Sequence, residues 1–403
     1  MLSERQRKDI LKRGKPDPQV VWPGEPLLGG VYGEEEIETV VRTIRSSMDW
    51  TVGFGFICKE ITDFEAAFAR YCGTADCISI NGAGTGLDMA MMALDLEPGD
   101  EVIVPAINFK AAAMSVVGQR GQVVWCEVDE RTFQADPKDV ERRITKRTRA
   151  IYPVHMNGLS APMDDLQDVA NRHPHPKHGP PKVIGDAARA CGGGYKGTKI
   201  GKKGWMTVFS FHTQKNMSTL GEGGALTTDD LELAKRLRAI RQFGGGNTWG
   251  TNYKMTKVQA AVGLVQLGRL PGFIESRRRI AHARHKMLEG VPEIILPYEP
   301  PDCEHSFYLY TCLVPKDWAG AKRDRLSAIM KDEYGVSLCI ANPPQYAQTP
   351  FLGKMTPGQD LPLSNELGAR LYCPPMHPAM TREQNEYLCA ALIEAVNKVK
   401  KGT

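Results

Sequence analysis

Between about residues 75 and 230, short apolar runs alternate with longer amphipathic stretches. The runs at 77–80, 101–104, 122–126, 149–152, 182–185 and 206–211 are rich in Val, Ile and aromatic residues, the composition of buried strands. The stretches at 87–96, 111–118, 137–144 and 163–172 carry helical periodicity. Strand–helix alternation of this kind predicts an α/β fold: a mostly parallel central sheet covered by helices on both faces. Ligands of such sheets bind at the carboxyl ends of the strands.

The pattern then changes. A long helix is expected at 257–288, with Arg277, Arg278 and Arg279 on a solvated face. Beyond Pro292, prolines at 297, 300, 301 and 315 interrupt the chain. A strand is expected at 307–314, a helix at 321–334 and a last helix at 381–399, opened by Thr381 as N-cap and Glu383 in its first turn. The expected organisation is a large domain with an N-terminal arm over 1–270 and a smaller α+β domain over 271–403.

Composition narrows the function classes. A net charge of +4 over 403 residues gives no reason to invoke nucleic acid or a membrane surface. No apolar run reaches membrane-spanning length, and the charged first ten residues do not resemble a secretory signal, so a cytoplasmic protein is expected. The ten cysteines show no CxxC spacing and read as reduced thiols. His173, His175 and His178 sit in a proline-rich segment that reads as a solvated loop, and no metal site is expected.

Candidate chemistry begins at Lys215, between the strand at 206–211 and the turn holding Gly221, Gly223 and Gly224. A lysine at such a boundary is an ordinary surface residue or a partly desolvated nucleophile, since desolvation favours the neutral amine. Ala83-Gly84-Thr85-Gly86 precedes a helix and reads as a plain turn or an anion cup. Asp186 ends a buried strand, as a helix cap or as the partner of a cation. Phe109 follows another strand, as core or as a stacking surface. Asn252 precedes the long helix, as a cap or an anion ligand. One cofactor uses all of these together. Pyridoxal phosphate needs a lysine, a carboxylate for its ring nitrogen, an aromatic over its ring and a phosphate cup.

With those residues in place, the chain resembles the DegT/DnrJ/EryC1/StrS family of sugar aminotransferases, fold-type I pyridoxal-phosphate enzymes, over roughly residues 25–395. The resemblance is carried by Ala83-Gly-Thr-Gly-Leu87, the run from Glu97 to Pro105, Pro153-Val-His-Met-Asn-Gly158, Gly185-Asp-Ala-Ala-Arg-Ala190, Ser210-Phe-His-Thr-Gln-Lys215, Gly221-Glu-Gly-Gly224 and the run from Gly250 to Ala261. It implies a three-layer large domain like that of aspartate aminotransferase. It also implies that Lys215 forms the Schiff base with pyridoxal 5'-phosphate, that Asp186 pairs with the ring nitrogen and that Phe109 stacks on the ring. Gly84 and Thr85 backbone groups and the Ser210 hydroxyl would take the phosphate. Asn252 would reach the phosphate of a neighbouring subunit in a homodimer with shared sites. The implied reaction moves an amino group from glutamate or glutamine to a ketosugar, nucleotide-linked by preference, or to a keto-cyclitol.

Three positions depart from the family. Ala83 replaces a serine, and Asn108 replaces a threonine before Phe109. Arg189 stands where Gln or His is usual beside the cofactor's phenolic oxygen. A cation there favours a phenolate or receives a substrate anion; a salt bridge with no catalytic role is the alternative. His155 and His212 flank the expected pocket, as substrate contacts or structural histidines. The rival readings are altered pyridoxal-phosphate chemistry, aromatising or dehydrating, and a non-catalytic cofactor-binding regulator.

Overall fold

A computed structural model describes residues 1–16 and 31–402, so positions 25–30 of the family resemblance lie outside the described residues. Seven strands form the central sheet: β1 (Asp76–Ile80), β2 (Glu101–Pro105), β3 (Gln122–Cys126), β4 (Thr148–Ile151), β5 (Lys182–Asp186), β6 (Met206–Ser210) and β7 (Gly224–Thr228). Their order across the sheet is β1-β7-β6-β5-β4-β2-β3. Only β7 runs antiparallel to its neighbours. It begins at the glycines that the sequence assigned to a turn, which hid it.

Side chains alternate across the strands, as period-2 geometry requires. Ile78, Val208 and Leu226 pack under the helices Ala83–Ala93, Ala111–Gly118 and Leu231–Arg241. Cys77, Phe209 and Ala225 face the helices Lys59–Cys72 and Lys257–Leu288. The result is a three-layer α/β sandwich. The helix Ala83–Ala93 starts earlier than periodicity suggested. Its first turn is the Ala-Gly-Thr-Gly segment itself, closed by the Gly86 amide donating to the Gly82 carbonyl at 3.2 Å.

The helix Lys257–Leu288 is continuous, opens on a Thr256–Gln259 capping box and contains Pro271. The division expected at residue 270 falls inside it. Its arginines correct the sequence expectation. Arg277 is only 1% exposed, and its Nη1 donates to the carbonyls of Phe307 (3.1 Å) and Tyr308 (3.3 Å). Arg278 pairs with Glu299 at 2.5 Å. A buried guanidinium cannot be recognised from charge density alone, because its partners are main-chain carbonyls distant in sequence.

The C-terminal region builds its own core around the helix Arg382–Lys401, which Thr381 and Gln384 cap reciprocally. The helix Glu4–Lys12 docks here through Ile10, and Arg7 pairs with Glu394 at 2.6 Å. The strand expected at 307–314 shrinks to Cys312–Leu313, paired with Leu371–Tyr372. Before it, the Ser306 and Leu309 amides bond instead to the carbonyls of Gly158 (2.9 Å) and Asn157 (3.1 Å), bending the segment away from a sheet ladder. Among the described residues, no helix is long and apolar enough to cross a membrane.

One buried ionic node ties the layers together. Glu65 accepts from the Ser79 amide (3.0 Å) and hydroxyl (2.8 Å), and pairs with Arg238 (3.0 Å) and with Arg241. Glu65 and Arg241 are both nearly inaccessible. Removing one partner strands a buried charge. Glu65→Ala is therefore expected to cost about 3–5 kcal/mol in urea unfolding.

Candidate active site

The carboxyl ends of β1, β2, β5 and β6 converge on a cleft of about 360 Å³. Gly82 and Gly84 follow β1, Phe109 follows β2, Asp186 ends β5, Ser210 ends β6, and Lys215 lies on the turn beyond; all line the cleft, as do Arg189 and Asn342. A larger cleft of about 540 Å³, near Arg131, His282 and Tyr298, contains none of the residues singled out from the sequence.

The glycines make the approach of these elements possible. A Cβ on Gly86 would sit 2.7 Å from Val208 Cγ1 of β6, so only glycine lets the helix lie this close to the sheet. A Cβ on Gly224 would sit 2.7 Å from the Phe209 carbonyl oxygen and 3.0 Å from the Ala83 nitrogen. No side chain caps the helix Ala83–Ala93. The amides of its first turn, with the positive end of its dipole, therefore open toward the cleft.

Asp186 is 5% exposed. One carboxylate oxygen accepts from the Ala188 amide at 2.9 Å; the other has no hydrogen bond among the described residues. Burial raises the carboxyl pKa above its usual range, opposed by that amide, Lys215 and Arg189. Lys215 Nζ donates to Tyr308 Oη at 3.2 Å and lies 4.8 Å from the centre of that ring. Its turn is tight: the Lys215 amide bonds to the His212 carbonyl at 2.9 Å, and the Thr213 amide to the Gly221 carbonyl at 3.0 Å. Phe109 is half exposed, with its ring bared to the cleft. Ser210 Oγ accepts weakly from the His212 amide at 3.3 Å.

Two of the residues expected to hold the cofactor stand back from the cleft. The Thr85 hydroxyl lies 2.6 Å from Asn81 Oδ1 and 2.7 Å from the Gly82 carbonyl, serving the turn rather than the cavity. Asn252 is exposed, bridged to Gln242. Its neighbour Tyr253 accepts from the Asn81 amide at 2.9 Å, beside the glycine turn. Asn108 turns inward and donates to the Pro105 carbonyl at 2.7 Å.

Among the described residues Arg189 forms no ion pair and bonds to Asn342. With the Asn342 amide oriented by this network, its carbonyl accepts from both terminal nitrogens of Arg189, at 2.5 and 2.7 Å. His155 is buried away from the cleft lining. Its Nδ1 accepts from the Ala161 amide at 3.0 Å, and burial holds its pKa down at about 3. His212 lines the cleft, 3.9 Å from Glu222. His175 Nδ1 accepts from the amides of Lys177 (3.1 Å) and His178 (3.2 Å), so its ring closes a turn. Sequence reasoning missed Tyr308 and Asn342. From the C-terminal region Asn342 lines the cleft and Tyr308 meets Lys215, and no local motif marks either one.

Residues 32–393 match the DegT/DnrJ/EryC1/StrS aminotransferase family. GDP-perosamine synthase of Caulobacter vibrioides is 34% identical over 350 residues, 85% of this chain and 91% of that protein. The crystal structure of Streptomyces venezuelae DesV superposes with a TM-score of 0.83 at 32% identity, covering 92% of this chain and 98% of that one. The pyridoxal-phosphate form of a putative sugar aminotransferase, Spr1654 of Streptococcus pneumoniae, superposes with a TM-score of 0.85 at 25% identity, covering 94% and 100%. Fold and similarity together define an aminotransferase. The chain belongs to the DegT/DnrJ/EryC1/StrS aminotransferase family.

The Asp186 carboxyl yields a stability test. Its raised folded-state pKa means that its ionised form destabilises the cofactor-free fold. That penalty is present above the folded pKa and vanishes below the unfolded value of about 4. Asp186→Asn is expected to raise the melting temperature of cofactor-free protein at neutral pH, with the advantage gone in acid. Thermal unfolding across pH checks the sign.

Proposed function

We propose that the cleft holds pyridoxal 5'-phosphate and that the protein transfers an amino group from glutamate or glutamine to a nucleotide-linked ketosugar. The observation that carries this reading is the meeting of four unlike groups in one cavity. A lysine amine, a buried carboxylate with an open oxygen, an uncapped helix N-terminus and a bared aromatic ring share the cleft. Each suits a different part of one cofactor. The nucleotide-sugar name of the Caulobacter relative supports the substrate class.

The residues fit the group. The Gly84 and Thr85 amides and the Ser210 hydroxyl would take its phosphate. The free oxygen of Asp186 would accept from the ring nitrogen and keep that nitrogen protonated. Phe109 would cover one ring face. When bound, the cofactor supplies an electron sink for the bond broken at the amino-bearing carbon. Lys215 would do the proton work: its Nζ would take the proton from that carbon and return it to the carbon on the other side of the amine nitrogen. Tyr308 Oη, 3.2 Å from Nζ, orients the amine for both positions. Arg189 faces the same cleft from the side of Tyr308 and Asn342.

The reading includes a homodimer with shared sites. The helix Glu34–Ser47 exposes Ile37, Val41 and Ile44 at helical spacing, and Met48, Trp50, Phe54 and Phe56 continue the apolar surface. A second copy would cover it and bring Asn252 to its partner's phosphate. None of the ten cysteines is in a disulfide, which fits a cytoplasmic setting.

Purified protein loaded with pyridoxal phosphate is expected to be yellow and to bleach on addition of glutamate or glutamine. Lys215→Ala is expected to lose the yellow band and about 10²–10⁴-fold in turnover. Failure of the wild type to take up the cofactor would sink this reading. Ile44→Asp is expected to shift the dimer to monomer in sedimentation velocity and to lower cofactor affinity with it.

A further inference from the structure

Arg189 is out of keeping with the other buried arginines. Arg149, Arg241, Arg323 and Arg370 each pair with a carboxylate. Arg277 and Arg284 point into the C-terminal core and donate to main-chain carbonyls. Arg189 does neither. It is 8% exposed, lines the cleft, and among the described residues bonds only to the Asn342 carbonyl. Asp186 and Glu222, the carboxylates that share the cleft, form no ion pair with it among the described residues. A neutral amide orients a guanidinium without neutralising it. A nearly buried cation left in that state carries a desolvation cost that an incoming anion relieves.

Its position says which anion. Tyr308 is shared: Lys215 Nζ lies 4.8 Å and Arg189 Cζ 5.5 Å from the same ring centre. Arg189 therefore flanks the amine around which the transamination in our reading takes place. An amino acid carries its carboxylate on the same carbon as its amine, so a donor reacting at Lys215 brings a carboxylate to this side of the cleft. The Asn342 oxygen takes the donors between the two terminal nitrogens and holds the guanidinium axis, leaving the Nε–H and the outer N–H of its neighbour as a two-donor edge that matches a carboxylate. Asn342 is itself constrained, with φ of 53° just before Pro343 and Pro344. The fork is thus set from outside the sheet by a rigid turn.

We propose that Arg189, aimed by Asn342, is the receptor for the carboxylate of the amino-acid donor. This rests on the aminotransferase reading of the cleft. It makes Arg189 a specificity determinant: amines without a neighbouring carboxylate leave the cation unpaired and bind poorly. A nucleotide-linked ketosugar carries hydroxyls beside its carbonyl and its anionic diphosphate on the anomeric carbon, away from the reacting centre, so the same residue serves one half of the reaction far more than the other.

The probe is glutarate, a dicarboxylate with no amine to react, titrated calorimetrically into cofactor-loaded protein. Arg189→Gln is expected to weaken glutarate at least tenfold, and Arg189→Lys less, because a point charge keeps attraction but loses the fork. Asn342→Asp is expected to weaken it also, by giving Arg189 an internal counter-charge. In single-turnover kinetics the loss is expected in apparent affinity for glutamate or glutamine and not for the keto acceptor. An unchanged glutarate affinity in Arg189→Gln overturns the proposal. So does a loss confined to the acceptor, or a shifted pH titration of the visible band with glutarate affinity intact, which would assign Arg189 to the cofactor ring. Wild-type protein that takes up no cofactor would refute the underlying reading separately. Glutarate binding to cofactor-free wild type, abolished in Arg189→Gln, would still support the receptor.

Discussion

Asp186 is buried at the end of β5, and an ionised carboxylate there is tolerable only in a field of positive potential. The Ala188 amide, Lys215 and Arg189 each lower its pKa, and an uncapped helix N-terminus opens into the same cavity. The parallel sheet makes this possible. It puts the ends of β1, β2, β5 and β6 on one edge, and β7, running the other way, begins its first residue there. Removing the carboxylate relaxes the fold locally and removes the partner for any cationic ring atom. Stability and function pull in opposite directions at this residue.

The other wall of the cleft depends on an arginine that never reaches it. Arg277 grips the Phe307 and Tyr308 carbonyls from the long helix. The Ser306 and Leu309 amides are tied to the loop at Asn157 and Gly158. A Cβ on Gly158 would sit 2.8 Å from the Tyr308 nitrogen, so the two segments can meet only because that residue is glycine. Held from both sides, Tyr308 delivers its hydroxyl to Lys215 and its ring to both Lys215 and Arg189. The C-terminal region thus completes the cleft that the sheet begins.

The central fold was legible because its signals are local. Strands of four to six residues and helices such as Ala111–Gly118 and Met163–Arg172 declare themselves by period, and the structure has them at or near the expected bounds. Lys215, Asp186, Gly84, Phe109, Ser210 and Arg189 were legible as a group because each sits at a strand end or glycine turn, and all line one cleft. Thr85 and Asn252 stand back from that cleft, the one with its hydroxyl turned to Asn81 and the Gly82 carbonyl and the other on the surface. β7, the short pairing at Cys312–Leu313 and the burial of Arg277 were not legible. Each depends on hydrogen bonds to residues far away in the chain.

The sequence by itself determined a mostly parallel α/β core and the chemical types gathered at its edge, since periodicity and turn residues are properties of neighbours. Only the tertiary structure decided that, among the described residues, Arg189 bonds to an amide and to no carboxylate, and that Tyr308 reaches Lys215 while Asn342 lines the cleft. Those facts depend on which distant segments pack together, and packing is governed by shape and burial summed over the whole chain rather than by any motif along it.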